Sequence, residues 1–252
     1  MKKKPYLSII IPAYNESTRI YESLRRLYND YLDTALHTYE VIVVDDGSTD
    51  ETADLVEAMR DSYQNLRVLI YPHKGKGYAI RQGMLSARGR WRMMADADFA
   101  MPPFELKRLV PSPKQPSAPD IIIAEREQFD FDVVNTPIRW LAGRVFNLAV
   151  RQMTGLNIRD TQCGFKVFSE RAAVDLFSRA TMDGFAIDVE VLMLAQRSRN
   201  YTLGSLYVHW VHDPDSRVKL IPDSIKMLRD VYHLAGDIRL RERRAAAENP
   251  AQ

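Results

Sequence analysis

Short apolar runs alternate with longer amphipathic segments through the first half of the chain. The short runs are rich in Val, Ile and Leu, which is typical of strands buried in a sheet, whereas the longer segments carry apolar residues at helical spacing. This alternation predicts an α/β domain with a mostly parallel, doubly wound sheet and helices on both faces. The predicted strands are 7–11, 40–44, 66–71 and 91–95, and the predicted helices are 17–32, 48–63 and 77–87.

The second half is mainly helical, with a proline-rich connection at 111–119 and a polar segment at 125–136 that is long enough for a flap over a site. We expect one domain over 1–240, whose C-terminal part is a helical extension, and a basic, disordered tail at 241–252. The predicted helices are 102–110, 137–153, 169–180 with Ser169 as its N-cap, 188–197 and 220–240, and the predicted strands are 120–124 and 201–211.

Composition narrows the class of protein. The 252 residues are 46% hydrophobic, enough for a substantial core, and the net charge of +2 argues against general nucleic-acid binding. Cys163 is the only cysteine, so no internal disulfide can form and a reducing compartment fits. There is no signal-peptide pattern and no apolar run near the ~18–20 residues that span a bilayer. We therefore expect a soluble protein, or one that lies on a membrane surface.

Two acidic clusters each follow a predicted buried strand. Asp45 and Asp46 follow the second strand, and Asp96 and Asp98 follow the fourth. Ligands of open α/β sheets bind outside the carboxyl ends of the strands, so both clusters face one crevice. Asp96 and Asp98 project the same way and repel each other unless a cation lies between them. Mg2+ or Mn2+ takes oxygen ligands and leaves room for substrate phosphates, so the pair predicts a metal–diphosphate site.

Two further elements could bind parts of a nucleotide. Tyr14, after the first strand, offers a stacking face for a base, and Glu16 can accept a hydrogen bond from a ribose hydroxyl or a base. Asp46 could do the same while Asp45 holds its loop, although Asp-Gly is also typical of a simple turn. The Lys-Gly-Lys-Gly turn at 74–77 precedes a helix, so its backbone N–H groups and ammonium groups together suit an anion.

Together these elements resemble the signature set of family 2 glycosyltransferases, both in their order and in their positions at strand ends. The resemblance implies the GT-A fold, inversion at the anomeric carbon, a nucleotide-diphospho-sugar donor and a divalent metal. It also implies a nucleotide-sugar half at 1–110 and an acceptor half at 120–240. The motifs are Pro12-Ala13-Tyr14-Asn15-Glu16, Asp45-Asp46-Gly47-Ser48, Lys74-Gly75-Lys76-Gly77 and Asp96-Ala97-Asp98.

Three later segments, at 159–166, 185–190 and 216–222, are similar to blocks of the dolichyl-phosphate β-glucosyltransferases. The resemblance implies that Asp98 is the direct metal ligand beside Asp96. Lys219 resembles a lysine that closes on the diphosphate. The residues assigned to phosphate groups of the donor are Lys76, Asp96, Ala97, Asp98 and Arg126, and those assigned to the nucleoside are Pro12, Tyr14, Glu16, Val44 and Asp46.

Two positions depart from the related mannosyl enzymes. Those enzymes carry a glutamine two residues past the second aspartate, which completes the metal shell, and here that residue is Ala100. They also carry an arginine six residues before the closing lysine, where this chain has Asp213, and Arg217 is the candidate to supply the missing charge. Both differences weaken a mannosyl assignment.

The catalytic groups depend on the acceptor. A phosphate monoester is largely dianionic near neutral pH, since its second pKa is about 6, and it therefore needs charge neutralisation but no general base. The metal at Asp98 and the ammonium of Lys219 would stabilise the departing diphosphate. A hydroxyl acceptor would need a carboxylate base, either Asp188 or Asp160; alternatively, Asp188 only caps its helix and Asp160 only orders a loop. The candidates to hold an acceptor phosphate are Arg126, Arg144 and Arg159.

The preferred prediction is a metal-dependent, inverting transferase that moves glucose from UDP-glucose to a dolichyl or polyprenyl phosphate. GDP-mannose as donor, a soluble hydroxyl acceptor and a non-catalytic sugar-nucleotide-binding module are the alternatives. We expect a peripheral protein at the cytoplasmic face of a membrane, held by its basic termini and the helix at 137–153. That helix carries Arg139, Arg144 and Arg151, and it fits equally a core helix with solvated arginines.

Overall fold

The structure is a computed structural model that describes residues 4–32, 38–63, 65–114, 117–126, 137–210 and 220–248, with the backbone alone at 103, 137–142, 220–223 and 239–248. Within these ranges the chain forms seven strands and eight α-helices. The strands are β1 Leu7–Ala13, β2 Tyr39–Asp45, β3 Leu66–Ile70, β4 Trp91–Met94, β5 Ile121–Arg126, β6 Lys166–Ser169 and β7 Leu203–Val208. The helices are α1 Ile20–Arg26, α2 Thr52–Met59, α3 Lys76–Ser86, α4 Leu106–Leu109, α5 Pro137–Thr154, α6 Glu170–Arg179, α7 Ile187–Ser198 and α8 Leu220–Glu248.

The described strands form one sheet in the order β3-β2-β1-β4-β6-β5-β7. Neighbouring strands are parallel except at β6, which is antiparallel to both β4 and β5. The prediction of a mostly parallel α/β sheet is therefore confirmed. β6 itself was not predicted, because it has only four residues and begins with a lysine, so no apolar run marks it.

The antiparallel strand brings a distant loop to the carboxyl ends of the parallel strands. Lys166, the first residue of β6, pairs with Met94, the last residue of β4. The same residue pairs with Ile123 of β5 on its other side. The loop that precedes β6 therefore lies beside the loop that follows β4, which carries Asp96 and Asp98 of the second predicted acidic cluster.

Alternate residues of the central strands pack on opposite faces of the sheet, as the two-residue period of a strand requires. Ile10 and Val44 belong to a core formed with α3, α6 and α7. Ile9 belongs to a second core on the other face, together with Leu24 of α1 and Val56 of α2. Helices cover both faces, as predicted, and the central strands are apolar on both sides because neither side meets water.

Some boundaries differ from the sequence-based expectation. Helix α2 begins at Thr52 rather than at 48, because side chains close the preceding loop: Asp45 accepts from the N–H of Ser48 at 3.0 Å, and Asp50 accepts from the N–H of Thr52 at 3.1 Å. Helix α8 continues past 240 to Glu248, so most of the segment that we expected to be a disordered tail is helical.

Residues 127–136 of the predicted flap lie outside the described residues, and the first two residues of that segment belong to β5. Among the helices that the structure describes, none combines the length and the apolar character needed to cross a bilayer.

Candidate active site

The loops after β1 and β2 are joined by side-chain hydrogen bonds. The N–H of Asn15 donates to the Ser48 hydroxyl at 2.9 Å, and the N–H of Thr49 donates to the Asn15 side-chain oxygen at 2.7 Å. Asn15 has a φ of +56°, in the left-handed region that asparagine tolerates better than most residues. These contacts make the two loops one wall at the carboxyl ends of the strands.

Both aspartates of the first acidic cluster hold loops in this structure. Asp45 accepts from the N–H and the hydroxyl of Ser48, the role expected for it. Asp46 is also buried, and its two carboxylate oxygens accept from the N–H groups of Lys74 and Gly75, both at 2.9 Å. The contact of Asp46 with a nucleoside stays a prediction.

The other residues assigned to the nucleoside differ in their access to the crevice. Tyr14 is 39% exposed, and its ring stacks on His73 with centroids 4.1 Å apart. Glu16 pairs through its carboxylate with the guanidinium of Arg19. Pro12 is partly buried, whereas the side chain of Val44 is fully buried against α3 and does not reach the crevice.

The turn at 74–77 is organised differently from the expected anion cradle. The N–H groups of Lys74 and Gly75 are taken by Asp46, and those of Gly77 and Tyr78 donate to the Asp183 carbonyl at 2.8 and 3.2 Å. These four amides are therefore not directed at a substrate, and that part of the expectation is wrong.

The ammonium group of Lys76, in the same turn, lies beside the second acidic cluster. Its ammonium lies 2.7 Å from a carboxylate oxygen of Asp96. Burial by itself would lower the pKa of Lys76, but the carboxylates of Asp96 and Asp188 raise it above its ordinary value. Burial would likewise raise the pKa of Asp96, but Lys76 holds it below the usual range. Both groups are therefore ionised at neutral pH.

Asp98 differs from Asp96 in the net effect of its surroundings on its pKa. Its carboxylate accepts from the N–H of Ala100 at 3.1 Å. Burial and the negative charge of Asp96 raise the pKa of Asp98 above its ordinary value. The Asp98 carboxylate thus lies near a second negative charge, and a divalent cation held by Asp96 and Asp98 would offset that repulsion.

A divalent metal fits this donor set. Within the described part of the chain, no group of three or more His, Cys, Asp and Glu side chains could hold an ion. A metal at Asp96 and Asp98 would therefore complete its shell with oxygens from substrate or water, as Mg2+ commonly does. Ala100, which stands where related mannosyl enzymes have a glutamine, is buried and offers no side-chain ligand.

The loop before β6 forms the floor beneath this pair. A Cβ atom at Gly164 would lie 1.9 Å from a carboxylate oxygen of Asp96, so only glycine leaves room for that side chain. Gly164 belongs to the segment 159–166 that resembles a family block, but sequence reasoning gives it no role, since a glycine in an unpredicted loop carries no signal of what it faces.

Asp160, in the same loop, forms a bidentate ion pair with Arg126 at the end of β5. The guanidinium nitrogens of Arg126 lie 2.7 and 2.9 Å from the two carboxylate oxygens. Asp160 raises the pKa of Arg126, and although burial would raise the pKa of Asp160, Arg126 lowers it. Arg126 also lies 5.4 Å from the ring centroid of Trp210, and its side chain keeps 39% exposure. It can therefore still meet a substrate phosphate.

Asp188 forms a second ion pair, with Lys166. Both side chains are buried, and the ammonium of Lys166 contacts the Asp188 carboxylate and donates to the Cys163 carbonyl at 2.6 Å. Asp188 lies in the first turn of α7, but the N-cap of that helix is Ala186, so the alternative that Asp188 caps the helix is wrong. Lys166 was quoted within a motif and given no role, because a buried lysine does not differ in sequence from a solvated one.

The remaining assigned residues are dispersed. Arg144 is exposed on α5, and Arg159 contacts the Tyr207 hydroxyl on β7. Burial raises the pKa of Cys163 to about 12, which keeps it a thiol. Arg217, Lys219 and Asp213 lie outside the described residues, so their assignments stay predictions.

Comparison of the sequence with known families matches residues 8–177 to the model of glycosyl transferase family 2. A dolichyl-phosphate beta-glucosyltransferase of Dictyostelium discoideum is 32% identical over 241 residues, which cover 91% of this chain and 73% of the relative. The protein of the same name in Drosophila melanogaster is 35% identical over 242 residues, which cover 90% of this chain and 73% of the relative.

Solved structures share the fold at low sequence identity. Glucosyl-3-phosphoglycerate synthase from Mycobacterium tuberculosis, in complex with UDP, superposes with a TM-score of 0.67 at 19% identity, over 92% of this chain and 80% of that one. A mannosyltransferase from Pyrobaculum calidifontis, in complex with GDP-Man and Mn2+, has a TM-score of 0.54 at 18% identity, over 100% and 77% of the two chains. The predicted GT-A fold is thereby confirmed.

Proposed function

Because the chain belongs to glycosyl transferase family 2, we propose that it is an inverting transferase that moves glucose from UDP-glucose to a dolichyl or polyprenyl phosphate. The relatives named for this reaction support the acceptor and the sugar, since they match about nine tenths of the chain at 32% and 35% identity.

One observation carries the choice of acceptor. A hydroxyl acceptor needs a carboxylate to take its proton, and the two carboxylates suited by sequence, Asp160 and Asp188, are both buried and both paired with a cation. A buried carboxylate that is paired with a cation is a poor base, because taking a proton would leave that cation unpaired. A phosphate monoester is already ionised and needs no such group. The site therefore favours a phosphate acceptor.

On the donor side, the wall formed by the first two loops would hold the nucleoside, with the partly exposed ring of Tyr14 available to a base. Lys76 and Arg126, whose positive charges both act on Asp96, would contribute positive charge toward the diphosphate. Mg2+ or Mn2+ held by Asp96 and Asp98 would supply charge neutralisation of the leaving diphosphate. Lys219 would add its ammonium to the same group.

On the acceptor side, the lipid phosphate would attack the anomeric carbon from the face opposite the diphosphate, which inverts its configuration. Arg126, Arg144 and Arg159 are the proposed contacts for that phosphate. They would neutralise its two charges while the chain holds the reacting atoms in line, and no proton transfer is required of the protein.

We further propose that the protein acts as a peripheral protein at the cytoplasmic face of a membrane. Helix α5 exposes Val145 and Leu148 next to basic side chains, and α8, which packs on α5, exposes Ile225 and Tyr232. Apolar and basic groups together favour the surface of an anionic bilayer. Sedimentation with anionic vesicles at low salt tests this, and protein that stays in the supernatant contradicts it.

Transfer from radiolabelled UDP-glucose to a short polyprenyl phosphate tests the proposed reaction. The matched control is the polyprenol of the same chain length, which lacks only the phosphate. We expect product from the phosphate alone, and we expect EDTA to abolish it and added Mg2+ or Mn2+ to restore it. Product from GDP-mannose instead would assign the mannosyl reaction, and product from the polyprenol would contradict the phosphate acceptor.

A further inference from the structure

Glu190, in the first turn of α7, is buried and holds the segment before that helix. The N–H of Thr181 lies 2.9 Å from each of its carboxylate oxygens, and the Thr181 hydroxyl and the N–H of Met182 donate to it at 2.8 Å. Hydrogen bonds to an ionised acceptor are stronger than neutral ones, and a donor that loses its buried acceptor is costly. Glu190 therefore fixes residues 181–182.

The residues that follow pack backbone to backbone against the N-terminus of α3. The Asp183 carbonyl accepts the N–H groups of Gly77 and Tyr78, and the Asp183 carboxylate lies 2.7 Å from the guanidinium of Arg81. A Cβ atom at Gly75 would lie 2.5 Å from the Asp183 carbonyl oxygen, and one at Gly77 would lie 2.6 Å from the Gly184 carbonyl oxygen. Segment 181–184 and the start of α3 can therefore move only together.

Lys76 stands between those two glycines and reaches Asp96 from there, at 2.7 Å. We infer that Glu190 is a positioning residue for Lys76: it anchors segment 181–184, which in turn sets where the ammonium lies beside Asp96. Glu190 touches neither Lys76 nor Asp96. This inference rests on the proposed function in one respect, namely that Lys76 and Asp96 bind the donor diphosphate.

The test compares Glu190→Gln with a matched control, Glu40→Gln. Glu40 is likewise buried and accepts from the Ser8 hydroxyl and the N–H of Arg88, both at 2.7 Å, but it lies at the opposite end of the sheet, near the start of β2. Amide hydrogen exchange is followed in peptides covering 74–80 and 181–186, with 52–59 as reference. The Michaelis constants for UDP-glucose and for polyprenyl phosphate are measured in parallel.

For Glu190→Gln we expect exchange about tenfold faster in both 74–80 and 181–186, with 52–59 unchanged, because a charged buried acceptor is lost. The Michaelis constant for the donor should rise while that for the acceptor stays constant. Glu40→Gln should leave the exchange of 74–80 and 181–186 and the donor Michaelis constant as in the wild type, even if its melting temperature falls.

Faster exchange in 181–186 alone, with exchange in 74–80 and the donor constant unchanged, would overturn the inference. If Glu190→Gln does not fold, Thr181→Val replaces it as the test, since this variant removes only the hydroxyl contact with Glu190. The same changes in exchange and in the donor Michaelis constant are expected, but smaller. If the wild type transfers no glucose, the proposed function fails, and the exchange data still decide whether Glu190 positions the start of α3.

Discussion

At the residue scale, the ion pair of Lys166 and Asp188 allows two possible roles of Asp188 to be distinguished, a structural one and a catalytic one. Removing either partner alone leaves a buried charge unpaired, so we expect Lys166→Met to lower the free energy of unfolding by about 3–5 kcal/mol. The double variant Lys166→Met/Asp188→Asn should recover most of that loss. Urea denaturation of the two variants and the wild type checks this.

Transfer by the same double variant tests the role of Asp188. We expect it to retain transfer to polyprenyl phosphate, because no base is needed for that acceptor. A double variant that folds and binds UDP-glucose but transfers nothing would identify Asp188 as the base.

Gly164 is the second residue whose replacement has a defined outcome. In Gly164→Ala the new methyl group must displace the Asp96 carboxylate, and a displacement of this kind costs on the order of 100-fold in kcat/KM. The control is Gly236→Ala on α8, where a Cβ meets nothing within 4 Å and the helix should gain about 0.5–1 kcal/mol. Equal activity of Gly164→Ala and the wild type would show that the Asp96 carboxylate can accommodate the methyl group without loss of function.

The charged residues that follow the predicted strands could be recognised from the sequence. The residues of β6 and of the loop before it, which pack against those charged residues, could not. Asp96 and Asp98 stand out because they follow an apolar run and share a direction. Gly164 and Lys166 act through what lies next to them in space, and that neighbour, Asp96 or Asp188, is distant in the chain.

At the element scale, the N-cap of α6 is a prediction that the structure bears out. The Ser169 hydroxyl accepts from the N–H of Ala172 at 3.3 Å and donates to Asp120 at 3.1 Å. We expect Ser169→Ala to lower the free energy of unfolding by about 1 kcal/mol without changing either Michaelis constant. Urea denaturation measures the first quantity, and the transfer assay the second.

The control on the same helix is Ser178→Ala. Its hydroxyl donates to the Asp175 carbonyl near the helix end, so the change should stay within about 0.5 kcal/mol. Two variants of equal stability would show that the cap contributes nothing.

Elements with a clear hydrophobic period were found near their true positions, and elements without one were missed or misjudged. Helix α2 begins later than predicted because Asp45 and Asp50 engage nearby N–H groups, a local competition that a period does not report. Strand β6 is buried between two partners, and it is short enough to leave no pattern of its own.

At the scale of the whole molecule, acid should destabilise the fold. Burial would raise the pKa of Asp96, Asp160 and Glu40, but cationic or hydrogen-bonding partners lower it in each. Burial opposes the hydrogen bonds of Thr52 and Ser17 at Asp50, which lower the pKa of that carboxyl to about 2. Such a group stabilises the fold above its unfolded pKa, and the contribution is lost as the pH falls through the folded pKa.

We therefore expect the free energy of unfolding to fall between about pH 4 and pH 2. The contribution of Asp98 to this pH dependence has the opposite sign, since its raised pKa means that protonation of Asp98 stabilises the fold. Urea midpoints across this range measure the loss, and it should be smaller in Asp50→Asn, which cannot titrate. A constant midpoint down to pH 2 would contradict the prediction.

Because β6 lies between β4 and β5 in the sheet, the donor site can form only after the chain has been synthesised as far as β6. The first four strands, their helices, Asp96 and Asp98 all lie within the first 98 residues, but Gly164, Lys166 and Asp160 arrive only with β6 and the loop before it. During synthesis, a nascent chain released before that strand would have parallel sheet without a floor beneath Asp96. Two fragments separated in the connection after α4 would likewise regain nucleotide binding only on complementation, so donor affinity reports the assembly of both halves.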